Sequence, residues 1–456
     1  MSVQERDPVQ NIMSSVARPV GTSSNEYHGC EQTPSPKASR SPSSLELLQQ
    51  ELRTERLTAI CELNTENKTL QQINRLLNRS RRIIMLTGAG ISCNAGIPDF
   101  RSSSGLYDLV KKQFPELPLM SGQEMFDISL FRDELKISAF ATFMERLYSS
   151  VQMARPTKTH KFIAHLKDRN KLLRCYTQNI DGLEEDLGLA MSKSDKDGIA
   201  IAGFNSRWKN YDVVQLHGDL KSLACTRCFH VFEWSRYWCR SFRRGELPTC
   251  PTCEEESFKR VQQGKRQSGV VGFLRPNVVL YGENHPGCEF IAQGLNLDVQ
   301  RGRPDFFIVM GTSLRVDGVK RLVRQISRQV HERGGIVILI NKTTIGDSSW
   351  NGVIDYQILC DCDDWVTYLE AQIPDFFNTQ KQVDKLRQLK REASDLRKKA
   401  LEEQKNYGLL ASMKTPPATP VKVNSSQDIK AEENLENVKK RILTSTKSPA
   451  KKHKKC

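Results

Sequence analysis

The run Ile83-Ile84-Met85-Leu86 leads straight into Thr87-Gly88-Ala89-Gly90. Consecutive apolar residues without alternation suit a strand covered on both faces, as in a parallel sheet. Two glycines one residue apart directly after such a strand let backbone N–H groups approach a pyrophosphate. Alone, a Gly-x-Gly turn is a weak sign of a nucleotide site. Here Ile91-Ser92 follows, and then Gly96-Ile97-Pro98-Asp99-Phe100-Arg101. This second segment adds a rigid turn, a carboxylate, an aromatic lid and a cation beside the first loop.

Beyond this point short apolar runs alternate with helical patterns. Strands are expected at Ile83–Thr87, Leu172–Thr177, Val213–Leu216, Phe306–Met310, Ile336–Ile340 and Tyr356–Leu359. Helical spacing lies between several of them, at Phe131–Tyr148, His160–Asp168 and Val319–Arg333. Such alternation predicts an α/β fold, a Rossmann-like doubly wound parallel sheet whose ligands sit at the carboxyl ends of strands. A chain of 456 residues exceeds one simple core. Residues 1–43 are polar and aperiodic, a disordered segment. Residues 44–80 carry apolar residues at mostly helical spacing and predict one or two helices. The sheet domain then runs over 81–374, and Met191–Asn210 reads as a polar loop insertion. Residues 375–412 form a helical extension. Leu386, Leu389, Ala393, Leu396 and Ala400 keep heptad spacing there for only about two heptads, too few to establish a coiled coil. Residues 413–456 are a basic, disordered tail.

Most of the net charge of +15 belongs to that end of the chain. From Phe376 onward there are 20 Lys/Arg against 9 Asp/Glu. The basic appendage points to nucleic acid, chromatin or nuclear import as partners, with a merely solvated tail as the plain alternative. A mean hydropathy of −0.51 fits a globular centre diluted by polar tails. No apolar run reaches membrane-spanning length, and the first 30 residues lack a signal-peptide core, so an intracellular, soluble protein without membrane association is expected. Its 13 cysteines should then be reduced. Four of them form two pairs, Cys225-x-x-Cys228 and Cys250-x-x-Cys253, separated by 21 residues. Two such knuckles can present four thiolates tetrahedrally and leave no open position, which predicts one structural zinc ion in a small zinc-ribbon module at about 220–272. Cys239 lies in the intervening loop and is not expected to be a ligand. A zinc ribbon by itself also admits nucleic-acid binding.

The remaining motifs are individually weak. Gln178-Asn179-Ile180-Asp181-Gly182 follows a strand and could be an ordinary Asn/Asp/Gly turn. His217-Gly218 ends another strand, where a lone histidine is more often structural. Gly311-Thr312-Ser313 and Asn341-Lys342 also lie just past strands, where they can meet ribose or phosphate oxygens. Their common placement at carboxyl ends is what a dinucleotide crevice requires.

Taken in order, these motifs resemble the sirtuins, the NAD-dependent protein deacylases. Arg275-Pro276-Asn277-Val278-Val279-Leu280-Tyr281-Gly282-Glu283 is similar to that family's substrate-binding strand. The resemblance covers about residues 82–369. It departs at Tyr281, where Phe is usual, at Asp317, where Pro is usual, and in the long Met191–Asn210 insertion. The Ser92-Cys93-Asn94-Ala95-Gly96-Ile97 form of the loop and the basic tail most resemble fungal nuclear sirtuins acting on core histones.

The resemblance implies an NAD-consuming lysine deacetylase that releases free lysine, nicotinamide and acetyl-ADP-ribose, with acetylated histone or another acetyl-lysine protein as substrate and a role in chromatin silencing and genome maintenance. It makes His217 a general base, a role an imidazole near pKa 6.5 suits. Asn179 and Asp181 position ribose and nicotinamide, Phe100 covers the nicotinamide pocket, and Asp99 and Arg101 order the loop. Gly88, Ala89, Gly90, Ser92, Gln178, Gly311, Thr312, Ser313, Asn341, Lys342 and Cys362 contact the rest of NAD. Two alternatives stay open: a protein ADP-ribosyltransferase using the same electrophile, and a chromatin scaffold with a vestigial site. In the tail, eight Lys/Arg between Lys439 and Cys456 predict nuclear import, with nonspecific DNA attraction as the competing account. Thr415-Pro416 and Thr419-Pro420 predict regulation by a proline-directed kinase and a ubiquitin ligase.

Overall fold

The computed structural model describes residues 54–58, 67–97, 112–116, 124–192, 203–266, 271–346 and 349–412. Its centre is a seven-stranded, all-parallel sheet. The strands are β1 (Glu55–Thr58), β2 (Ile83–Thr87), β3 (Leu172–Thr177), β4 (Val213–Gln215), β8 (Phe306–Met310), β9 (Ile336–Asn341) and β10 (Tyr356–Leu359), in the order β1-β10-β9-β8-β2-β3-β4. The chain winds outward from β2 through β3 to β4, then returns to β8 on the other side of β2. The switch point of the fold therefore lies between β2 and β8, and the Gly-x-Gly turn leaves β2 there.

Alternation within β2 explains why both faces must be covered. Ile83 and Met85 enter one core with Leu70, Ile73 and Leu77 of α1 (Lys68–Arg79) and with Phe162, Ile163 and Trp365. Ile84 and Leu86 enter the opposite core with Val319, Val323 and Ile326. Phe162 and Ile163 come from α3 (Lys158–Asp168), which follows α2 (Glu134–Met153). Among the described residues the other α-helices are α4 (Phe204–Asn210), α5 (Arg236–Arg243), α6 (Pro251–Gln262), α7 (Cys288–Gln300), α8 (Asp317–His331), α9 (Cys362–Gln372) and α10 (Gln380–Ser412). Within the expected 375–412 extension, α10 is helical throughout and exposes Leu389, Leu396 and Leu401.

A second, smaller sheet is antiparallel, with β5 (Gly218–Cys225) between β6 (Val231–Glu233) and β7 (Leu274–Val278). It packs Leu220 and Val278 against Phe140, Phe143 and Met144 of α2. Two residues separate β4 of the large sheet from β5 of the small one, and the second is His217.

Two segments differ from the sequence reading. Residues 44–80 were expected to contain one or two helices; α1 is one, but Glu55–Thr58 is a strand that extends the large sheet alongside β10. Leu57 is buried by this pairing, and the Thr54 hydroxyl donates to the Ile354 carbonyl at 2.7 Å. The Met191–Asn210 insertion was expected to be a polar loop, but its end forms α4, whose Trp208 is fully buried. The Trp208 indole N–H donates to Asp298 at 2.9 Å, and its ring packs on Phe204 and Phe290. Asp298 also accepts from Arg174 at 2.8 and 3.1 Å and from the Tyr176 hydroxyl at 2.9 Å. One buried carboxylate thus ties the insertion to β3. Among the described residues, no helix is long and apolar enough to cross a membrane.

Candidate active site

The site grows from the contact between two glycine turns. The Gly88 N–H donates to the Met310 carbonyl at 3.0 Å and the Gly90 N–H to the Gly311 carbonyl at 2.8 Å. A Cβ on Gly90 would lie 2.5 Å from the Gly311 Cα, closer than real Cβ atoms come. Gly311 has φ +63°, a left-handed conformation that favours glycine. Removing side chains here brings the ends of β2 and β8 together in a bare backbone turn, in which the N–H groups of Gly88, Gly90 and Gly311 are taken by the Met310, Gly311 and Ile340 carbonyls.

Polar side chains converge beside that turn. The Asn179 amide donates to the Ser92 hydroxyl at 3.0 Å, and the Ser92 hydroxyl donates to Asp181 at 2.7 Å. All three residues are buried. The Gln178 amide donates to Thr312 Oγ1 at 2.8 Å, joining the loop after β3 to the loop after β8. The sequence motifs that looked like separate turns are therefore one hydrogen-bonded unit.

His217 stands where the two sheets meet. Its Nδ1 lies 2.9 Å from the Gln178 carbonyl, so Nδ1 carries the hydrogen and Nε2 is the basic nitrogen. Burial pushes its pKa below the usual imidazole value, the Gln178 carbonyl opposes that, and His285 adds to it. The His217 carbonyl accepts from the Val279 N–H at 2.9 Å, which fixes the ring beside the strand that resembles a substrate-binding strand. The Arg275 guanidinium pairs with Glu283, bracing the far end of that segment. Gly218 has φ +83° and touches the Asn277 carbonyl so closely that no side chain fits.

On the far side, Asn341 donates to the Thr343 carbonyl at 2.9 Å and its hydroxyl at 3.0 Å. Lys342 is exposed and pairs with Asp361 at 2.9 Å. Asp361 caps α9 and also accepts from Asn94 at 3.1 Å, linking this edge to the cofactor loop. Cys362 is buried with its sulfur 3.9 Å from the Ile340 carbonyl. Gly88, Ala89, Gly90, Ser92, Gln178, Asn179, Asp181, His217, Gly311, Thr312 and Ser313 thus gather around the switch point. Asn341, Lys342 and Cys362 line its β9–α9 edge. Asp99, Phe100 and Arg101 lie outside the described residues.

Sequence reasoning passed over several partners. His285 sits in the turn after β7 and was hidden in an unremarkable Asn-His-Pro run. Thr157 reaches the Ile91 carbonyl at 3.0 Å and caps α3 together with His160. His160 and Glu184 lie behind Asp181, and the sequence carries no spacing that would have joined them.

The cysteine pairs also meet. Cys225 and Cys253 sulfurs are 3.7 Å apart, as are those of Cys228 and Cys250. Zinc–sulfur bonds of about 2.3 Å in a tetrahedron give sulfur–sulfur edges of about 3.8 Å, so the four can hold one such ion. The N–H groups of Arg227 and Cys228 point at the Cys225 sulfur at 3.3 and 3.4 Å, favouring its thiolate. Cys239 stands apart from this cluster.

A glycine turn at a switch point, a histidine between two sheets and four cysteines that can hold a metal ion mark an α/β enzyme with a second, smaller module. The sequence model of the Sir2 family matches residues 88–195 and 200–318. The NAD-dependent histone deacetylase HST3 of Saccharomyces cerevisiae is 61% identical over 421 residues, covering 90% of this chain and 92% of that protein. The HST3 histone deacetylase of Candida albicans is 49% identical over 72% of this chain and 68% of its own length. The NAD-dependent protein deacetylase hst4 of Schizosaccharomyces pombe is 39% identical over 60% and 63%. The chain belongs to the Sir2 family, the sirtuins.

Proposed function

We propose that this chain is an NAD-dependent protein lysine deacetylase acting on acetylated histones. The observation that carries this reading is the Asn179–Ser92–Asp181 unit, joined through Gln178 to a histidine whose Nε2 is the basic nitrogen. NAD, when bound, supplies a ribose carbon made electrophilic by its nicotinamide leaving group. Gly88, Gly90 and Gly311, which carry no side chains, would leave room for the pyrophosphate against their turn. Asn179 and Asp181 orient the sugar, a positioning effect that lowers the barrier by fixing the reactive pose. His217 Nε2 accepts a proton from a ribose hydroxyl, and the Gln178 carbonyl stabilises the charge the ring then carries. Phe100 covers the nicotinamide pocket, with Asp99 and Arg101 ordering its loop. Cys225, Cys228, Cys250 and Cys253 hold one structural zinc ion that shapes the substrate-side module.

The protein acts in the nucleus, on chromatin. The Lys439–Cys456 cluster directs import and adds nonspecific DNA contact, and phosphorylation at Thr415 and Thr419 limits abundance through a ubiquitin ligase. Both segments lie outside the described residues. Truncation after Asn437 abolishes nuclear accumulation on this reading, and retention would place the signal elsewhere.

The test is incubation with acetylated histone peptides and adenine-labelled NAD. Label in acetyl-ADP-ribose, with nicotinamide release that depends on acetyl-peptide, supports deacetylation. Label on protein selects ADP-ribosyl transfer. Release of neither product identifies a binding protein with a vestigial site.

A further inference from the structure

Behind Asp181 lies a set of ionisable groups that the mechanism does not use. Glu184 is wholly buried, and neither of its carboxyl oxygens has a hydrogen-bond partner. His160 is equally buried; its Nδ1 lies 2.8 Å from the Thr157 hydroxyl, while its Nε2 has no partner. One polar atom from each of His160, Asp181 and Glu184 lies within 4.8 Å of the other two. Each orphaned buried polar atom costs about 1–3 kcal/mol. Three together beside a reaction centre call for a chemical explanation.

Two adjacent carboxylates out of water do not both ionise readily; they share one proton. Asp181 is committed as an acceptor, from the Ser92 hydroxyl at 2.7 Å and the Leu183 N–H at 3.2 Å. Glu184 receives no hydrogen bond of good geometry, only the weaker approach of the Thr177 hydroxyl and of its own N–H, so the proton resides there. We propose that Glu184 is a positioning residue, protonated at neutral pH, which with neutral His160 keeps Asp181 the single negative charge presented through Ser92 and Asn179 to the sugar end of bound NAD. This rests on the sirtuin reading of the site.

The surroundings agree. Burial, and then the charge of Asp181, raises the Glu184 carboxyl to about 8. Burial lowers the His160 pKa against the pull of Asp181, Asp363 and Asp186. The Cys175 thiol of β3 is pushed up by burial. Lys221 of β5, the nearest cation, is engaged by Asp186 at 3.1 Å and Glu185 at 3.6 Å. Asp363 is held by the Thr159 N–H at 2.8 Å. Above about pH 8 the proton leaves Glu184, and a second negative charge next to Asp181 disturbs its bond to Ser92.

The full-length protein tests this with Glu184→Gln, which keeps a neutral donor, and Glu184→Ala, which does not. Without NAD, a carboxyl raised in the folded state contributes stability that is complete below its unfolded value and is lost as pH rises through about 8. The wild-type melting temperature should therefore fall more steeply than that of Glu184→Gln between about pH 5 and pH 8.5. In deacetylation assays, Gln should rescue kcat at neutral pH to within about twofold of wild type and remove the alkaline fall, whereas Ala should lower kcat at least about tenfold. A Glu184→Gln protein with the wild-type stability slope and alkaline limb would overturn the proposal. So would a second metal ion per chain, besides that of the cysteine module, lost from Glu184→Gln. Should Glu184→Gln fail to fold, a protonated-carboxyl infrared band in the wild type, present at pH 7 and gone by about pH 9.5, supports the proposal, and its absence at pH 7 overturns it. A wild-type protein that deacetylates nothing defeats the functional reading instead, and the stability slope still reports the proton.

Discussion

Asp298→Asn removes one negative charge from a place where water cannot replace it. The Arg174 and Asp298 side chains are 3% and 4% exposed, and the guanidinium makes two hydrogen bonds to this carboxylate. Its remaining nitrogen, Nη1, already lacks a partner, so no second acceptor is in reserve. An asparagine offers one acceptor oxygen where four donors now converge from Arg174, Tyr176 and Trp208. Breaking a buried pair by removing one partner costs about 3–5 kcal/mol. Domain stabilities run at about 5–15 kcal/mol, so about a fifth or more is at stake. For a domain of this size the melting temperature should drop by about 10 °C. Calorimetry or denaturant titration measures the loss. Activity at a temperature well below melting should survive, because Asp298 does not touch the site. Replacing both partners with apolar residues, Arg174→Met with Asp298→Leu, should recover most of the stability. A loss under about 1 kcal/mol for Asp298→Asn would refute the argument, since that is the worth of an exposed pair.

Gly90→Ala should raise the Kd for NAD about tenfold or more while leaving the fold intact, because its methyl group meets the Gly311 backbone and pushes the loops apart; titration calorimetry with NAD measures it. Deacetylation should fall on the acid side only below the ordinary histidine value of about 6.5, since burial lowers the His217 pKa and the base must be neutral to act. His285→Leu removes a repelling neighbour and should move that acid limb to higher pH, which a kcat/KM pH profile detects. Cys250→Ser should lower metal content from one ion per chain to none by mass spectrometry and loosen Phe242, Leu223 and Ala141, which share a core with the cysteines.

The central sheet and most of the site were legible because their signals are local. A fully buried parallel strand writes an unbroken apolar run, and a glycine turn after it needs no distant partner to be noticed. β1 was not legible, because four residues at a sheet edge have no alternation of their own and are defined by the backbone of β10, some 300 residues away. α4 was hidden by the polarity of its neighbours; Trp208 alone supplied the burial, and its partner Asp298 lies 90 positions on. The zinc-type cluster was read from spacing, since two knuckles bring their own geometry. His160 and Glu184 escaped because a helix-capping histidine and a turn glutamate are each ordinary. Only their shared position behind Asp181 makes them unusual.

The parallel pairing of β1 with β10 has a practical consequence for anyone trimming this protein. A core cut to begin at the first glycine motif loses Glu55–Thr58 and bares the outer backbone of β10. Beneath it sit Ile358 and Gln357, both without exposure in the intact protein. An open row of amides over such a surface recruits strands from neighbouring molecules. Shortened versions should therefore clump or pair edge to edge, and a soluble catalytic fragment has to start upstream of Thr54.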